Sequence, residues 1–502
     1  MVDSQNTLSN TFAKARIVTG ISFVLGLLFD YFFYDKIPGI VFPFYVILVI
    51  AGLFAIANFL KKQINKEVLI PLVLLIFFST MVFIRSSDLL IFLNVIASLL
   101  LLLVITEISF GEEIKNFSIE DYLKIFFLPF KFIHPLFETM SNLFSLREVK
   151  EDRKVFSQIV KGVLMTIPVL FVFLLLFSSA DLIFQKYVSD LISIDNTLEI
   201  IFRVILILIV TIVFIGAYTY SFREKKDQMA TQQNSKNYTV GYIETSILLG
   251  SVNVLFFVFI LVQFAYLFGG ESTVSAQSFT YSEYARRGFF ELIAVVVISL
   301  LLLLTTEKYV TKKETEHGSG FKILSIALVV QVILIMASAF IRLSLYEEFY
   351  GFTTLRLYSH AFIILLAIIF CLLIYKIYQD RRENTFVFRV FFSIALFIAV
   401  MNFLNPDAFI ARRNIERFDA TGKLDIYYLS RLSDDAISDI IKVLDISNED
   451  LRKSFARELY WRAQSSDSPY FSQWQSLNIS RTRAYKILNS KIYELEPYKD
   501  YQ

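Results

Sequence analysis

Residues that bind metals or form disulfides are scarce in this chain of 502 residues. Its single cysteine, Cys371, has no second cysteine with which to form an intrachain disulfide or a CxxC site. The three histidines, His134, His317 and His360, are far apart in sequence, which argues against a metal site built on a histidine cluster. No GxxxxGK[ST] loop occurs, so ATP-driven work by this chain alone is not expected. We therefore expect neither a metal nor a cofactor.

The chain also has little net charge, but its apolar content is high. A formal charge of +2 gives no reason to expect nucleic-acid binding. In contrast, 56% of the residues are hydrophobic, and the mean hydropathy is +0.59. The chain contains repeated apolar runs about 20 residues long, which is the length that crosses a bilayer core. Because continuous runs of this kind select helices in lipid, the sequence predicts an all-α, polytopic transmembrane bundle.

Eleven runs are long enough to span a membrane. Their predicted bounds are 17–34, 38–60, 68–84, 89–106, 158–178, 198–221, 242–268, 287–305, 321–343, 360–378 and 385–404. Every second connection is rich in lysine and arginine, from Lys14 and Arg16 at the start to Arg381 and Arg382 near the end. Since basic loops are retained in the cytoplasm, the alternation predicts a cytoplasmic N-terminus and an extracytoplasmic C-terminal tail.

The sequence divides into four segments by composition. We predict four spans in 1–106, a cytoplasmic amphipathic segment in 107–157, seven spans in 158–404 and a helical tail in 405–502. The second segment carries an apolar stripe at helical spacing, formed by Leu123, Phe127, Phe130, Ile133, Phe137, Met140 and Phe144. The stripe fits either a helix in the membrane interface or a helix packed against the spans.

The tail has the composition of a soluble domain. Ser433 and either Ser447 or Asn448 are predicted N-caps of two helices, and "NISRTRAYKILNSKIYELE" predicts another. We expect a small, all-helical extracytoplasmic domain.

Arginines and carboxylates gather where the predicted topology places the outer membrane face. The candidate ligand-binding residues there are Arg342, Arg356, His360, Arg286, Arg287, Arg412, Arg413, Asp181, Glu283, Glu347 and Asp407. Arginine's planar fork binds a carboxylate or a phosphate through two hydrogen bonds, which lysine cannot do. Two interpretations follow. The arginines clamp loops and tail together through ion pairs, or they hold an anionic headgroup.

Five ordered motifs resemble a known family. They are "LLFSSADLIF", "VNVLFFVFILVQFAYLFGG", "YSEYARRGFFEL", "SAFIRLSLYEEFYGFTTLRLYSH" and "NPDAFIARRNIERFDATGKLDIYYLSRLSDDAI". Together they are similar to a bacterial multi-pass membrane family known as domain of unknown function 4173, close to 4153, over roughly residues 160–450. Ser438 stands where the resemblance leads us to expect proline. The resemblance implies a bacterial cytoplasmic membrane and brings no activity with it.

Three functions are compatible with these features. The first is a membrane protein that binds or moves an anionic or lipid-linked ligand at the outer arginine–carboxylate cluster. The second is an extracytoplasmic transferase with a lipid-phosphate donor, in which Asp30 or Asp35 serves as general base. The third is a sensor or scaffold whose tail binds a protein partner. In each case the lipid bilayer, and in the first two a phosphorylated lipid, is an expected partner.

Overall fold

A computed structural model describes residues 2–111, 113–143, 195–223, 241–268, 289–309, 318–379, 382–465 and 473–500, with isolated positions between 166 and 186. Every regular element among these residues is helical. The helices before the tail are α1 (Val2–Phe33), α2 (Val41–Phe59), α3 (Leu69–Ile84), α4 (Asp88–Ile108), α5 (Ile119–Phe126), α6 (Leu128–Lys131), α7 (Ile133–Leu143), α8 (Asp195–Ser221), α9 (Tyr242–Phe268), α10 (Phe289–Tyr309), α11 (Gly318–Tyr350), α12 (Thr354–Gln379) and α13 (Glu383–Leu404). The tail contains α14 (Pro406–Thr421), α15 (Ile426–Ser430), α16 (Ile437–Ile440), α17 (Glu449–Ser465), α18 (Ile479–Ser490) and α19 (Ile492–Leu495).

The protein is an all-α, multi-pass membrane protein. Within the described ranges, 10 helices are long and apolar enough to cross a membrane: α1 to α4 and α8 to α13. They correspond to the predicted spans except the fifth, 158–178, which lies outside the described residues apart from single positions. The prediction of a polytopic helical bundle is therefore confirmed.

Several spanning helices are longer than the sequence predicted, and two of them meet at the tail end. The ninth was expected over 321–343 and the tenth over 360–378, but α11 continues to Tyr350 and α12 starts at Thr354. Polar side chains at the end of a span extend into water without breaking the helix, so the end of the apolar run does not mark the end of the helix. Gly351, with φ of +80°, ends α11, because this left-handed conformation is accessible to glycine at little cost.

The bundle has two apolar cores that α13 connects. Phe78 of α3 and Ile105 of α4 lie in the first core, and Phe370 of α12 lies in the second. From α13, Ala395 packs into the first core and Phe386 into the second. Large apolar side chains elsewhere on the spans point outward. Such a surface is suited to lipid contact, since only lipid covers it without a hydration cost.

The apolar stripe of the amphipathic segment is divided between two environments. Leu123, Phe127, Phe130 and Ile133 are 50–70% exposed. In α7, by contrast, Met140 of the stripe is partly buried against the first core, and the helix packs against α8 and α1. Phe144, the last residue of the stripe, lies outside the described residues.

The tail packs on one end of the bundle. The Ile40 N–H, just before α2, donates to the Leu477 carbonyl at 2.9 Å. After α3, the Arg85 carbonyl accepts from Asn478 Nδ2 at 2.8 Å. After α11, the Phe352 N–H donates to Asn414 Oδ1 at 2.7 Å. The connections 34–40, 85–87 and 351–353 therefore share one end with the tail.

Two basic connections, 60–68 and 109–118, lie at the opposite end. There, Lys115 pairs with Glu67 at 3.1 Å, and Asn384, at the start of α13, donates to the Asn116 carbonyl. The other basic connections lie wholly or partly outside the described residues, and the orientation in the membrane stays a prediction.

The tail forms its own helical core, centred on Phe455, Ile437 and Leu488. Asn448, not Ser447, caps α17, because its Oδ1 accepts from the Leu451 N–H at 3.1 Å. Ser433 does occupy an N-cap position, before the 3₁₀ turn Asp434–Ala436, but its side chain makes no capping hydrogen bond there. The last predicted helix consists of two helices, α18 and α19.

Candidate functional site

The predicted site residues separate into three groups. Glu283, Arg286 and Arg287 lie outside the described residues. Asp181 is exposed, and its carboxylate accepts from the N–H groups of Ile183 and Phe184 at 2.7 and 2.9 Å. The remaining residues lie on α11, α12 and α14.

A buried pair, Glu347 and His360, joins α11 to α12. Glu347 is 5% and His360 8% exposed, and His360 Nδ1 lies 3.2 Å from Glu347 Oε1. The other ring nitrogen, Nε2, is 3.2 Å from Ser344 Oγ and 3.3 Å from the Phe340 carbonyl oxygen. Both nitrogens of the imidazole therefore have partners within the protein.

Arg356 fastens the turn between the same two helices. Its guanidinium stacks on the Tyr346 ring at 4.1 Å from the centroid and donates to the Gly351 carbonyl. Arg417 of α14 donates through Nε to the Glu348 carbonyl at 2.9 Å, which caps the end of α11. Arg342 is partly buried two turns before that end. The contacts of Arg356 and Arg417 are thus with a ring and with backbone carbonyls, whereas the clamp interpretation predicted ion pairs.

Arg412 and Arg413 lie on the exposed side of α14. Arg412 is 3.6 Å from Asp439, and Arg413 donates to Glu416 at 3.1 Å. Both guanidinium side chains are more than half exposed. Asp407, which begins the same helix, is by contrast only 4% exposed. The two arginines and this carboxyl group therefore lie in different environments.

A buried carboxylate that the sequence analysis did not select, Asp435, docks the tail on the bundle. Its Oδ2 accepts from the backbone N–H groups of Ser86 and Ser87 at 2.8 and 3.0 Å, and its Oδ1 accepts from the Ser480 hydroxyl. In return, the Asp435 N–H donates to Ser86 Oγ at 2.8 Å. Arg85 Nη1 lies 3.6 Å away. The carboxylate is 0% exposed, so its acceptors are satisfied only by this contact.

A pair of buried amides lies inside the bundle below this contact. Asn94 of α4 and Asn402 of α13 are both 0% exposed, and each side chain donates to the other at 2.8 Å. The Asn402 carbonyl also accepts from Arg85 Nη2. Polar groups inside a membrane need such partners, because lipid offers none. Both asparagines interrupt apolar runs, and this was a signal present in the sequence.

Between the tail and the bundle, beside Asp435, lies a cleft of about 810 Å³. One wall comes from the start of α4 and of α12, and the other from α15 and α17. Its charged lining consists of Asp88, Asp407, Asp434, Glu458, Arg431, Arg462 and Arg481. Tyr427 and Trp461 add aromatic surface that is 60% and 56% exposed. We refer to this space as the tail–bundle cleft.

The arginines of the cleft differ in how they are held. Arg462 pairs with Asp434 at 2.7 Å and donates to the Ser430 carbonyl at 2.9 Å. Arg481 is largely buried, and burial lowers its pKa, which Asp434, Asp88 and Asp435 oppose. Arg431 is exposed, and its guanidinium stacks on the Tyr427 ring at 3.9 Å from the centroid.

Asp407 is the buried carboxyl group of the cleft. Burial raises its pKa above the usual 3.8, and the charge of Asp435 raises it further. The Ser433 N–H donates to it at 3.2 Å, which opposes the effect of burial. Such a group holds its proton to higher pH than an exposed aspartate.

The two aspartates proposed as a general base lie away from this cleft's lining. Asp30 is 6% exposed, and Arg203 of α8 binds both of its oxygens at 2.6 to 3.2 Å. Asp35 follows α1 with φ of 52°. A carboxylate held by a bidentate arginine has few free lone pairs for a substrate proton. In the described part of the chain, no group of three or more His, Cys, Asp or Glu side chains is arranged to hold a metal ion.

Comparison with known proteins gives a family. No curated protein and no solved structure matches the chain. One family model matches residues 72–443, which include α3, α4, α13, Asp407 and Asp435. The motifs led us to expect family 4173, and the match is instead to 4153, the family that 4173 is close to. The chain belongs to the family described as a domain of unknown function, DUF4153.

Proposed function

We propose that this membrane protein binds an anionic or lipid-linked ligand in the tail–bundle cleft. The observation that carries the proposal is a cleft of about 810 Å³ at the end of the bundle where spans meet the tail, lined by three arginines, four carboxyl groups and aromatic surface. Of the arginines, Arg431 is exposed and stacks on the Tyr427 ring. A ligand anchored in the membrane reaches this position without leaving the bilayer surface. Arginine forks suit a phosphate or carboxylate of such a ligand.

The tail end of the bundle is proposed to face outward in a bacterial cytoplasmic membrane. Loop charge supports this orientation, because Lys61, Lys62 and Lys115 belong to connections at the opposite end. The ligand would then be extracytoplasmic.

Arg431 is the residue on which the test depends. It is exposed and held by stacking on Tyr427, so Arg431→Gln removes a charge without leaving a buried carboxylate uncompensated. Lys442→Gln is the matched control, since Lys442 is an exposed tail cation that pairs with Asp439. Arg356→Gln tests the cluster selected from the sequence.

The measurement is native mass spectrometry of gently purified full-length protein. We expect an anionic or phosphorylated ligand on the parent and on Lys442→Gln, and its loss from folded Arg431→Gln. Loss in Arg356→Gln alone would move the site to the turn between α11 and α12. A ligand retained by all three variants, or absent from the parent, would refute the proposal.

A second function, transfer from a lipid-phosphate donor, draws support from Asp407. A carboxyl group that keeps its proton to higher pH than usual is suited to general acid catalysis in a cleft. Asp407→Asn keeps the size and one acceptor oxygen but removes the titrating group. If transfer occurs, this variant should still bind the donor but lose turnover, while turnover at the parent level would exclude this role.

A further inference from the structure

One face of α18 forms a second pocket, on the outside of the tail. Ile479, Thr482, Arg483, Lys486 and Ile487 follow the spacing of a single helix face. With Leu477 they line a cavity of about 390 Å³. The opposite face of the helix, with Ala484 and Leu488, is buried in the tail core. We refer to this cavity as the α18 pocket; Arg481, which lines the tail–bundle cleft, is not part of it.

The contacts of neighbouring residues place the α18 pocket at the level where spans begin and end. The Leu477 carbonyl accepts from the N–H of Ile40, the residue before α2, at 2.9 Å. The Trp474 ring packs edge-on against Phe32 in the last turn of α1, at 6.1 Å between centroids. Trp474 is 53% exposed. An exposed tryptophan at the end of a span is typical of the membrane–water interface.

The lining of the α18 pocket is amphipathic. Leu477 and Ile479 are 44% and 39% exposed, and Arg483 and Lys486 are cations beside them. Among the residues that the structure describes, neither cation forms an ion pair with a carboxylate. A soluble anion would leave the apolar side chains uncovered, and a zwitterionic lipid would leave the two cations without a net counter-charge. A lipid with an anionic headgroup satisfies both.

We propose that the α18 pocket binds an anionic phospholipid of the leaflet on which the tail rests. The phosphate contacts Arg483 and Lys486, and the start of the acyl chain covers Leu477 and Ile479. This lipid would hold the tail against the membrane, whether or not a ligand occupies the tail–bundle cleft.

The two tryptophans of the chain, Trp461 and Trp474, make the pocket accessible to fluorescence. In a Trp461→Phe background, Trp474 is the single tryptophan. The full-length protein is placed in phosphatidylcholine vesicles that contain a small fraction of either brominated phosphatidylglycerol or brominated phosphatidylcholine. Two cations at a membrane surface favour the anionic lipid roughly thirtyfold. Brominated phosphatidylglycerol should therefore quench Trp474 well beyond brominated phosphatidylcholine.

Two variants decide whether the pocket causes this excess. Arg483→Gln/Lys486→Gln should remove it, while the charge-matched control Lys442→Gln/Lys453→Gln should keep it. Equal quenching by the two lipids in the parent, or an excess that survives in Arg483→Gln/Lys486→Gln, would overturn the proposal. In native mass spectrometry with Trp461 unchanged, Arg483→Gln/Lys486→Gln should keep the cleft ligand, which separates failure here from failure of the proposed function.

Discussion

Replacing Asp435 with alanine should release the tail from the bundle while both remain folded. The carboxylate accepts from the amides of Ser86 and Ser87 and from the Ser480 hydroxyl, with no exposure to water. Alanine leaves these donors buried and without an acceptor, and it leaves Arg85 without its nearest carboxylate. The apolar cores of the tail and of the bundle do not contain this side chain, and within the tail it accepts from the Ser480 hydroxyl.

The size of the effect follows from the donors left without a partner. Each buried donor that loses its acceptor costs about 1–3 kcal/mol. Two backbone amides, partly relieved by water entering the seam, give a loss of about 3 kcal/mol in the free energy of docking. This corresponds to roughly a hundredfold rise in the equilibrium for tail opening.

Hydrogen–deuterium exchange on the full-length protein measures this opening directly. Peptides that contain Ser86 and Ser87, and those covering 474–480, should lose roughly a hundredfold in protection, while the spans stay protected. Asp439→Ala is the control, because Asp439 pairs with Lys442 and Arg412, which are 60% and 59% exposed. Surface pairs of this kind contribute at most about 1 kcal/mol. Unchanged exchange in Asp435→Ala, or equal effects in both variants, would refute the docking role of Asp435.

Two further predictions concern the buried polar groups. Because the pKa of Asp407 is raised by folding, the folded state binds its proton more tightly, so stability should fall as pH rises from 3.8 through the raised value. In Asp407→Asn, the melting temperature should change less with pH over this range. An unchanged slope would show that Asp407 does not cause the pH dependence. Asn94→Leu alone should lower stability by about 1–2 kcal/mol, since Asn402 Oδ1 loses its donor, although Asn402 Nδ2 still donates to the Ile398 carbonyl. Asn94→Leu/Asn402→Leu should recover most of the loss in thermal unfolding, and an equal loss in both would show that packing, not pairing, matters.

The bundle was predictable because lipid requires spans of a certain length and backbone hydrogen bonds made within the span, and both requirements select long apolar helical runs that are visible in a sequence. Runs of about 20 apolar residues are rare outside membrane spans. The orientation that the loop charges predict is a separate inference that stays a prediction. The ends of α11 and α12 were less predictable. Polarity marks where a chain reaches water, whereas a helix ends where a residue such as Gly351 permits it.

The docking contact was not predictable from one sequence. Asp435 and Ser86 are 349 residues apart, and nothing local distinguishes Asp435 from Asp434, its neighbour. Arg356 was among the arginines selected at span ends, and its contacts are local. Arg85 was not selected, and its partners Asn402 and Asp435 come from distant parts of the chain.

The family match covers one wall of the tail–bundle cleft and part of the other. Asp407, Arg431 and the contact of Asp435 with Ser86 and Ser87 lie within the matched residues 72–443. The residues that complete the wall formed by α15 and α17 come after the match: Glu458, Trp461, Arg462 and Arg481. The docked tail fixes the distance between the walls. A change in α17 can therefore alter which ligand fits without changing the residues that bind Asp435. For this reason we expect ligand choice to respond to substitutions in α17, and tail docking to respond to substitutions at Asp435.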